Sequence, residues 1–111
     1  MVKSDALDRT FSALADGTRR EMLERLQVGP ASITELARRA GISLPGVLKH
    51  VRVLEGVGLV TTEKKGRTRE CRLGPDRMDD VAGWIDSQRA MWERRLDRLE
   101  TVLERRKGER P

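Results

Sequence analysis

Ser32-Ile33-Thr34-Glu35-Leu36-Ala37-Arg38-Arg39-Ala40-Gly41-Ile42-Ser43-Leu44-Pro45-Gly46-Val47-Leu48-Lys49-His50-Val51-Arg52-Val53-Leu54 is the stretch that decides the fold. Ser32 followed three residues later by Glu35 is a capping-box pattern and predicts the start of a helix. Ile33, Leu36, Ala37 and Ala40 then recur at helical spacing, and Gly41 closes the helix. Ser43 caps the next one. Pro45 falls in its first turn, where a missing N–H does no harm. Val47, Val51 and Leu54, at i, i+4 and i+7, form the inward stripe of this second helix. Leu44, Pro45, Leu48, Lys49 and Arg52 are left on its outer side or flanks. Two short helices joined through a glycine, the second basic on its outer face, make a helix-turn-helix pattern.

Downstream, Gly58 ends the helix and the period changes. Leu59 to Glu63 and Thr68 to Leu73 read as two short strands, joined by the basic turn Lys64-Lys65-Gly66-Arg67. A hairpin in that position is a wing, and Gly74-Pro75 ends it. Upstream, Leu7, Phe11, Leu14 and Ala15 predict a first helix over about Asp5 to Ala15, broken by Asp16-Gly17. Thr18 is the expected cap of a second helix with Met22, Leu23 and Leu26 inward, ending near Gly29-Pro30.

From Asp76 a single helical pattern runs about 30 residues, on the order of 45 Å at 1.5 Å per residue. Met78, Val81, Ile85, Trp92, Leu96, Leu99 and Leu103 recur along it at three- and four-residue steps, close to a heptad seam. A helix that outgrows the core available to it buries the excess against a symmetry mate. The expected architecture is therefore mainly α with a small β-hairpin wing, in the order α-α-α-α-β-β-α. It forms one domain over 1–111, with a DNA-binding core at 5–75, a long C-terminal dimerisation helix at 76–106 and a frayed tail at 107–111.

The 111 residues carry a net charge of +5, and its distribution is informative. Residues 1–36 hold five basic and six acidic side chains, and residues 74–111 nine of each. Residues 37–73 hold nine basic and three acidic. The whole excess sits on the helix-turn-helix and wing, as a polyanion-binding surface requires. No run approaches the roughly 18 apolar residues of a membrane span, and Met1 to Asp8 lacks the apolar stretch of a signal peptide. A cytoplasmic protein is expected, nucleoid-associated when on DNA. Cys71 has no second thiol to pair with and reads as a small apolar residue of the wing. His50 is the single histidine, so neither a zinc site nor a catalytic dyad can be built on it; it packs, or makes one phosphate contact. Asp79-Asp80 reads as acids favoured by the dipole at a helix start. There is no Gly-rich phosphate loop and no Ser/His/Asp set, and no enzyme is expected.

Two phrases carry a family resemblance. Phe11-Ser12-Ala13-Leu14-Ala15-Asp16-Gly17-Thr18-Arg19-Arg20, followed by Met22-Leu23 and Leu26, resembles the opening signature of the ArsR (arsenic-repressor-like) transcription regulators. Ile42 to Leu54 followed by Gly58-Leu59-Val60 is similar to that family's recognition helix and first wing strand. The resemblance runs from about Phe11 to Leu73. It implies a homodimer whose first and last helices pair across a two-fold axis, adding Leu7 and Phe11 to the seam residues, and a repressor on a pseudo-palindromic operator. The chain departs from the metal-sensing members. Ser32 and Thr34 stand where those carry a Cys-x-Cys pair, and no His follows Asp76. Hydroxyls are poor ligands for soft metals, so no metal and no cofactor are expected; a small-molecule effector is left unknown. Leu48 stands where many relatives have Ser. It either meets a thymine methyl group or packs against the wing or the preceding helix.

The reading is a homodimeric, sequence-specific regulator of transcription that binds double-stranded DNA and no membrane. Its expected DNA contacts are Ser43, Leu44, Pro45, Leu48, Lys49, His50 and Arg52 on the recognition helix, and Lys64, Lys65, Arg67 and Arg69 on the wing. Two alternatives stay open: a winged helix that meets an acidic protein, and a DNA-binding regulator with an unusual metal or redox effector site.

Overall fold

The computed structural model describes residues 5–75 and 77–108. The elements follow in the order α1 (Asp5–Leu14), α2 (Gly17–Leu26), β1 (Ala31–Ser32), α3 (Ile33–Ala40), α4 (Leu44–Gly56), β2 (Val60–Lys65), β3 (Thr68–Leu73) and α5 (Arg77–Gly108). They fall into two compact units, one up to Val81 and one from Ala82 onward.

The first unit has a single apolar core. Met22, Leu23 and Leu26 of α2, Ile33, Leu36 and Ala37 of α3, and Val47, Val51 and Leu54 of α4 all contribute to it. Leu59, Val60 and Cys71 close it from the sheet. The stripes read for α2, α3 and α4 are the faces that are buried. Their aliphatic side chains fill the space left by a near absence of aromatics, 3% of the chain. Helix α1 ends at Leu14 and buries Thr10 and Ala13, while the expected Leu7, Phe11 and Leu14 are half-buried and Ala15 is exposed.

Caps fix the helix starts. Ser32 Oγ accepts the Glu35 N–H at 3.1 Å and Ser43 Oγ accepts the Gly46 N–H at 3.2 Å, each satisfying one amide that the helix cannot. The Glu35 carboxylate meets Arg25 Nη2 at 2.9 Å, tying α3 to the end of α2. For α2 the expected cap is corrected: Asp16, not Thr18, is the N-cap, its carboxylate accepting the Arg19 N–H at 3.0 Å. A carboxylate at that position also meets the positive end of the helix dipole. Helix α4 ends in a Schellman motif. Gly58 takes a left-handed φ of 79°, and Leu59 N–H reaches the Leu54 carbonyl at 3.0 Å.

The wing differs from the expected hairpin in two ways. Its first strand extends through Lys65, so the turn tightens to Gly66-Arg67 and Lys65 pairs with Thr68. The sheet also has a third strand, in the order β1-β3-β2. Ala31 pairs with Cys71 and Ser32 with Glu70, both antiparallel. Two residues carry no alternation to read, and their pairing depends on β3, some 40 residues away in the chain.

Helix α5 begins at Arg77 and continues through Gly108. Lys107 and Gly108 are therefore helical where a frayed tail was expected; Asp76 and residues 109–111 lie outside the described residues. Val81, expected on the seam, is 6% exposed within the first unit, so its own chain already covers it. The other seam residues stay exposed: Met78, Ile85, Trp92, Leu96, Leu99 and Leu103, with Trp92 at 62%. No helix among the described residues is long and apolar enough to cross a membrane.

Candidate nucleic-acid interface

Helix α4 divides its residues by face. Val47, Val51 and Leu54 are buried, while Ser43, Leu44, Pro45, Lys49 and Arg52 are exposed. Ser43 is occupied as the cap through Oγ. Leu44 is 47% exposed at the first turn, where a side chain gains nothing from the core and is free to meet a partner. Leu48 is half-buried and packs against the core. It also lines a groove with Arg52, Thr62 and Arg69, between α4 and the wing. Leu48 thus packs on its inner side, and its outer side faces the groove between α4 and the wing.

On the wing, Lys64, Lys65, Arg67 and Arg69 are all exposed, but they are not equivalent. Lys65 Nζ lies 3.2 Å from Glu70 Oε1. Arg72 donates to the same carboxylate oxygen at 2.6 Å. Those two bonds, Arg72 first and Lys65 second, hold the Glu70 carboxyl below the usual carboxylate range. Arg69 Nη1 donates to Thr62 Oγ1 at 2.7 Å, and Thr62 donates onward to Glu55 Oε2 at 2.8 Å. This relay joins β3, β2 and the last turn of α4, so Arg69 sets the angle between wing and helix as well as adding charge. Lys64 and Arg67 carry no such ties among the described residues and are the free cations of the wing.

Sequence reasoning missed Arg19. Its guanidinium donates from Nε to the Ala13 carbonyl at 2.7 Å and from Nη2 to the Ser12 carbonyl at 3.2 Å. Its Nη1 lies 3.2 Å from His50 Nδ1. Arg19 and His50 are 31 residues apart, and no spacing rule links them. His50 is thus half-buried against α2. Exposed Arg38 and Arg39, at the end of α3, add two cations beside the turn that leads into α4.

Cys71 is fully buried in the centre of β3. Burial, with a smaller contribution from Glu55, pushes its thiol up to about 11, which leaves it inert near neutral pH. Among the described residues no three His, Cys, Asp or Glu side chains converge as metal ligands.

A buried helix pair, a capped helix with a basic outer face and a basic wing in one unit are the parts of a winged helix-turn-helix. The helix-turn-helix domain family matches residues 14–63. A crystal structure of an ArsR family transcriptional regulator is 40% identical, with 80% of this chain aligned to 98% of that one and a TM-score of 0.74. The chain belongs to the ArsR family. HTH-type transcriptional regulator Rv2034 of Mycobacterium tuberculosis is 46% identical over 68 residues, 61% of this chain and 64% of that protein's length. A solution structure from Mycobacterium bovis, described as a homodimeric winged helix-turn-helix DNA-binding domain of a possible ArsR-family regulator, is 25% identical. It covers 84% of this chain and 83% of its own, with a TM-score of 0.62. This ArsR-family chain therefore has the fold and the chain order of a transcriptional regulator.

Proposed function

We propose that the chain is a repressor that binds double-stranded DNA in the cytoplasm as a homodimer on a pseudo-palindromic operator, acting by binding rather than by catalysis. One observation carries this reading. The exposed face of α4, with Leu44, Pro45, Lys49 and Arg52, lies in the same unit as a three-stranded basic wing and is tied to it through Glu55, Thr62 and Arg69. The N-terminal half of α4 enters the major groove, where base edges are reachable. Lys49 and Arg52 meet guanine or phosphate. Lys64 and Arg67 meet the neighbouring backbone, and Ser43 adds a phosphate contact from the helix start. Repression follows when the bound dimer excludes polymerase from the promoter.

The homodimer is supported by the run of exposed apolar residues on α5 and by the homodimeric state of the Mycobacterium bovis neighbour. Leu7 and Phe11, half-buried on α1, complete the interface. Dimer symmetry doubles the contacts and fixes the half-site spacing.

Selection of bound duplexes from a random pool tests the function. Enrichment of an inverted repeat with half-sites about one helical turn apart supports it. A pool that stays random, with the protein folded, would remove the DNA-reading role and leave the winged helix as a protein-interaction module.

A further inference from the structure

We propose that Arg19 is the positioning residue of the DNA-reading helix: by holding His50 Nδ1 it clamps α4 to the end of α1, and His50 is the anchor of that clamp rather than a DNA contact. This rests on the function proposed above.

Arginine has five N–H donors in a planar fork and no acceptor. A guanidinium 3.2 Å from His50 Nδ1 therefore donates to it, and Nδ1 must be the unprotonated nitrogen. The ring proton is then on Nε2, and the tautomer follows from the partner rather than from a free choice. The same guanidinium donates to the Ala13 and Ser12 carbonyls. These lie in the last turn of α1, whose carbonyls lack i+4 partners; the Ser12 carbonyl also accepts the Ala15 N–H at 3.2 Å, and Arg20 takes the Leu14 carbonyl at 2.7 Å. One planar group thus bridges the last turn of α1 and the middle of α4. The start of α2 holds it from below, because the Arg19 amide is the group that caps on Asp16. The Asp16 carboxyl is held below its usual range, first by that Arg19 amide bond and, more weakly, by the Arg19 charge.

The arrangement links three helices through one side chain with three different acceptors. A planar fork with all three of its nitrogens engaged cannot rotate without losing bonds, so α4 is held in register against α1. Lysine carries its three donors on one nitrogen and cannot present them in a fixed planar fork to acceptors spread over two helices. On the proposed dimer, α1 lies at the subunit interface. The clamp then makes the orientation of the reading helix depend on how the two subunits meet.

His50 is the only histidine, so the imidazole ¹⁵N spectrum of the protein is the spectrum of this one ring. At pH 8, above the ordinary imidazole range, the wild type should show a fixed Nε2–H tautomer. Arg19→Met, which keeps the aliphatic stem, should show a tautomer mixture. A wild-type ring protonated on Nδ1, or a spectrum unmoved by Arg19→Met, overturns the clamp.

Binding to the selected duplex supplies the second readout. Arg19→Met and His50→Ala should each lose roughly tenfold in affinity, the scale of one charge-assisted hydrogen bond, and the double variant no more than either. His50→Asn places an amide oxygen where Nδ1 stood and should bind within about twofold of wild type, because the clamp needs only an acceptor there. His50→Asn as weak as His50→Ala, or losses that add, overturns the anchor role. If Arg19→Met does not fold, the His50 pair of variants decides. A wild type that binds no duplex would instead sink the proposed function, and the imidazole spectrum, which needs no DNA, would still decide the clamp.

Discussion

The backbone of Gly74 lies against that of Gly58: a Cβ added at Gly74 would overlap the Gly58 carbonyl oxygen. Gly74 N–H donates to the neighbouring Leu59 carbonyl at 2.8 Å. This contact seals the base of the wing, where the chain leaving β3 crosses the chain entering β2. Backbone atoms on both sides leave no flexible side chain to move aside. Gly74→Ala should therefore lower stability by about 1–3 kcal/mol, the cost of overpacking a tight site. Thermal unfolding by circular dichroism should show a melting temperature lower by roughly 5–20 °C. An unchanged melting temperature would mean that the two strands separate at this point without cost.

Cys71 supplies a pH-dependent prediction. Its thiol is raised from an ordinary 9.0 to about 11 in the folded chain. The unfolded chain thus loses the proton first, so folding is favoured below pH 9 and loses that contribution as pH rises from about 9 through about 11. Unfolding by urea across that window should show wild-type stability falling more steeply than that of Cys71→Ala. Parallel slopes would show that the thiol does not carry the effect. The same burial should make the native thiol orders of magnitude slower than an unfolded one toward alkylating reagents at pH 8.

The wing cations should separate into two kinds. Lys64 and Arg67 are free, and each phosphate contact contributes roughly −0.9 to the slope of log affinity against log salt. Lys64→Ala and Arg67→Ala should each make that slope shallower by about one unit per monomer. Thr62→Val breaks the Glu55–Thr62–Arg69 relay without removing a charge. It should weaken binding while leaving the salt slope unchanged. A Thr62→Val protein with full affinity would show that the wing angle does not depend on the relay.

The exposed seam predicts the oligomeric state. Leu96 and Leu99 are each more than half exposed within the chain. Replacing both with Asp places charge in the middle of the proposed interface, where an unpaired buried charge costs several kcal/mol. Sedimentation should report a monomer, with the spectrum of a folded helix-turn-helix unit retained. A mutant that sediments as a dimer would take α5 out of the interface.

Much of this protein was legible in its amino-acid order, because local rules act at short range. Ser32 and Ser43 announce their helices through an oxygen that reaches an amide three residues on. The stripe of Val47, Val51 and Leu54 follows from 3.6 residues per turn, and a basic hairpin turn containing Gly66-Arg67 follows from its flanking strands, though the pairing of Lys65 with Thr68 that tightens it does not. The excess of positive charge on residues 37–73 and the two family phrases pointed to the same surface. What local order could not supply were relationships between segments far apart. The strand Ala31–Ser32 exists because β3 offers it unpaired backbone groups. Asp16 rather than Thr18 caps α2 because the folded turn brings its carboxylate to the Arg19 amide. Arg19 reaches His50 because α1, α2 and α4 pack around one core, and Val81 is buried within its own chain where an exposed seam position was expected. Short-range hydrogen bonding and periodicity are written in the chain; which distant donor meets which acceptor is settled only when the core brings them together.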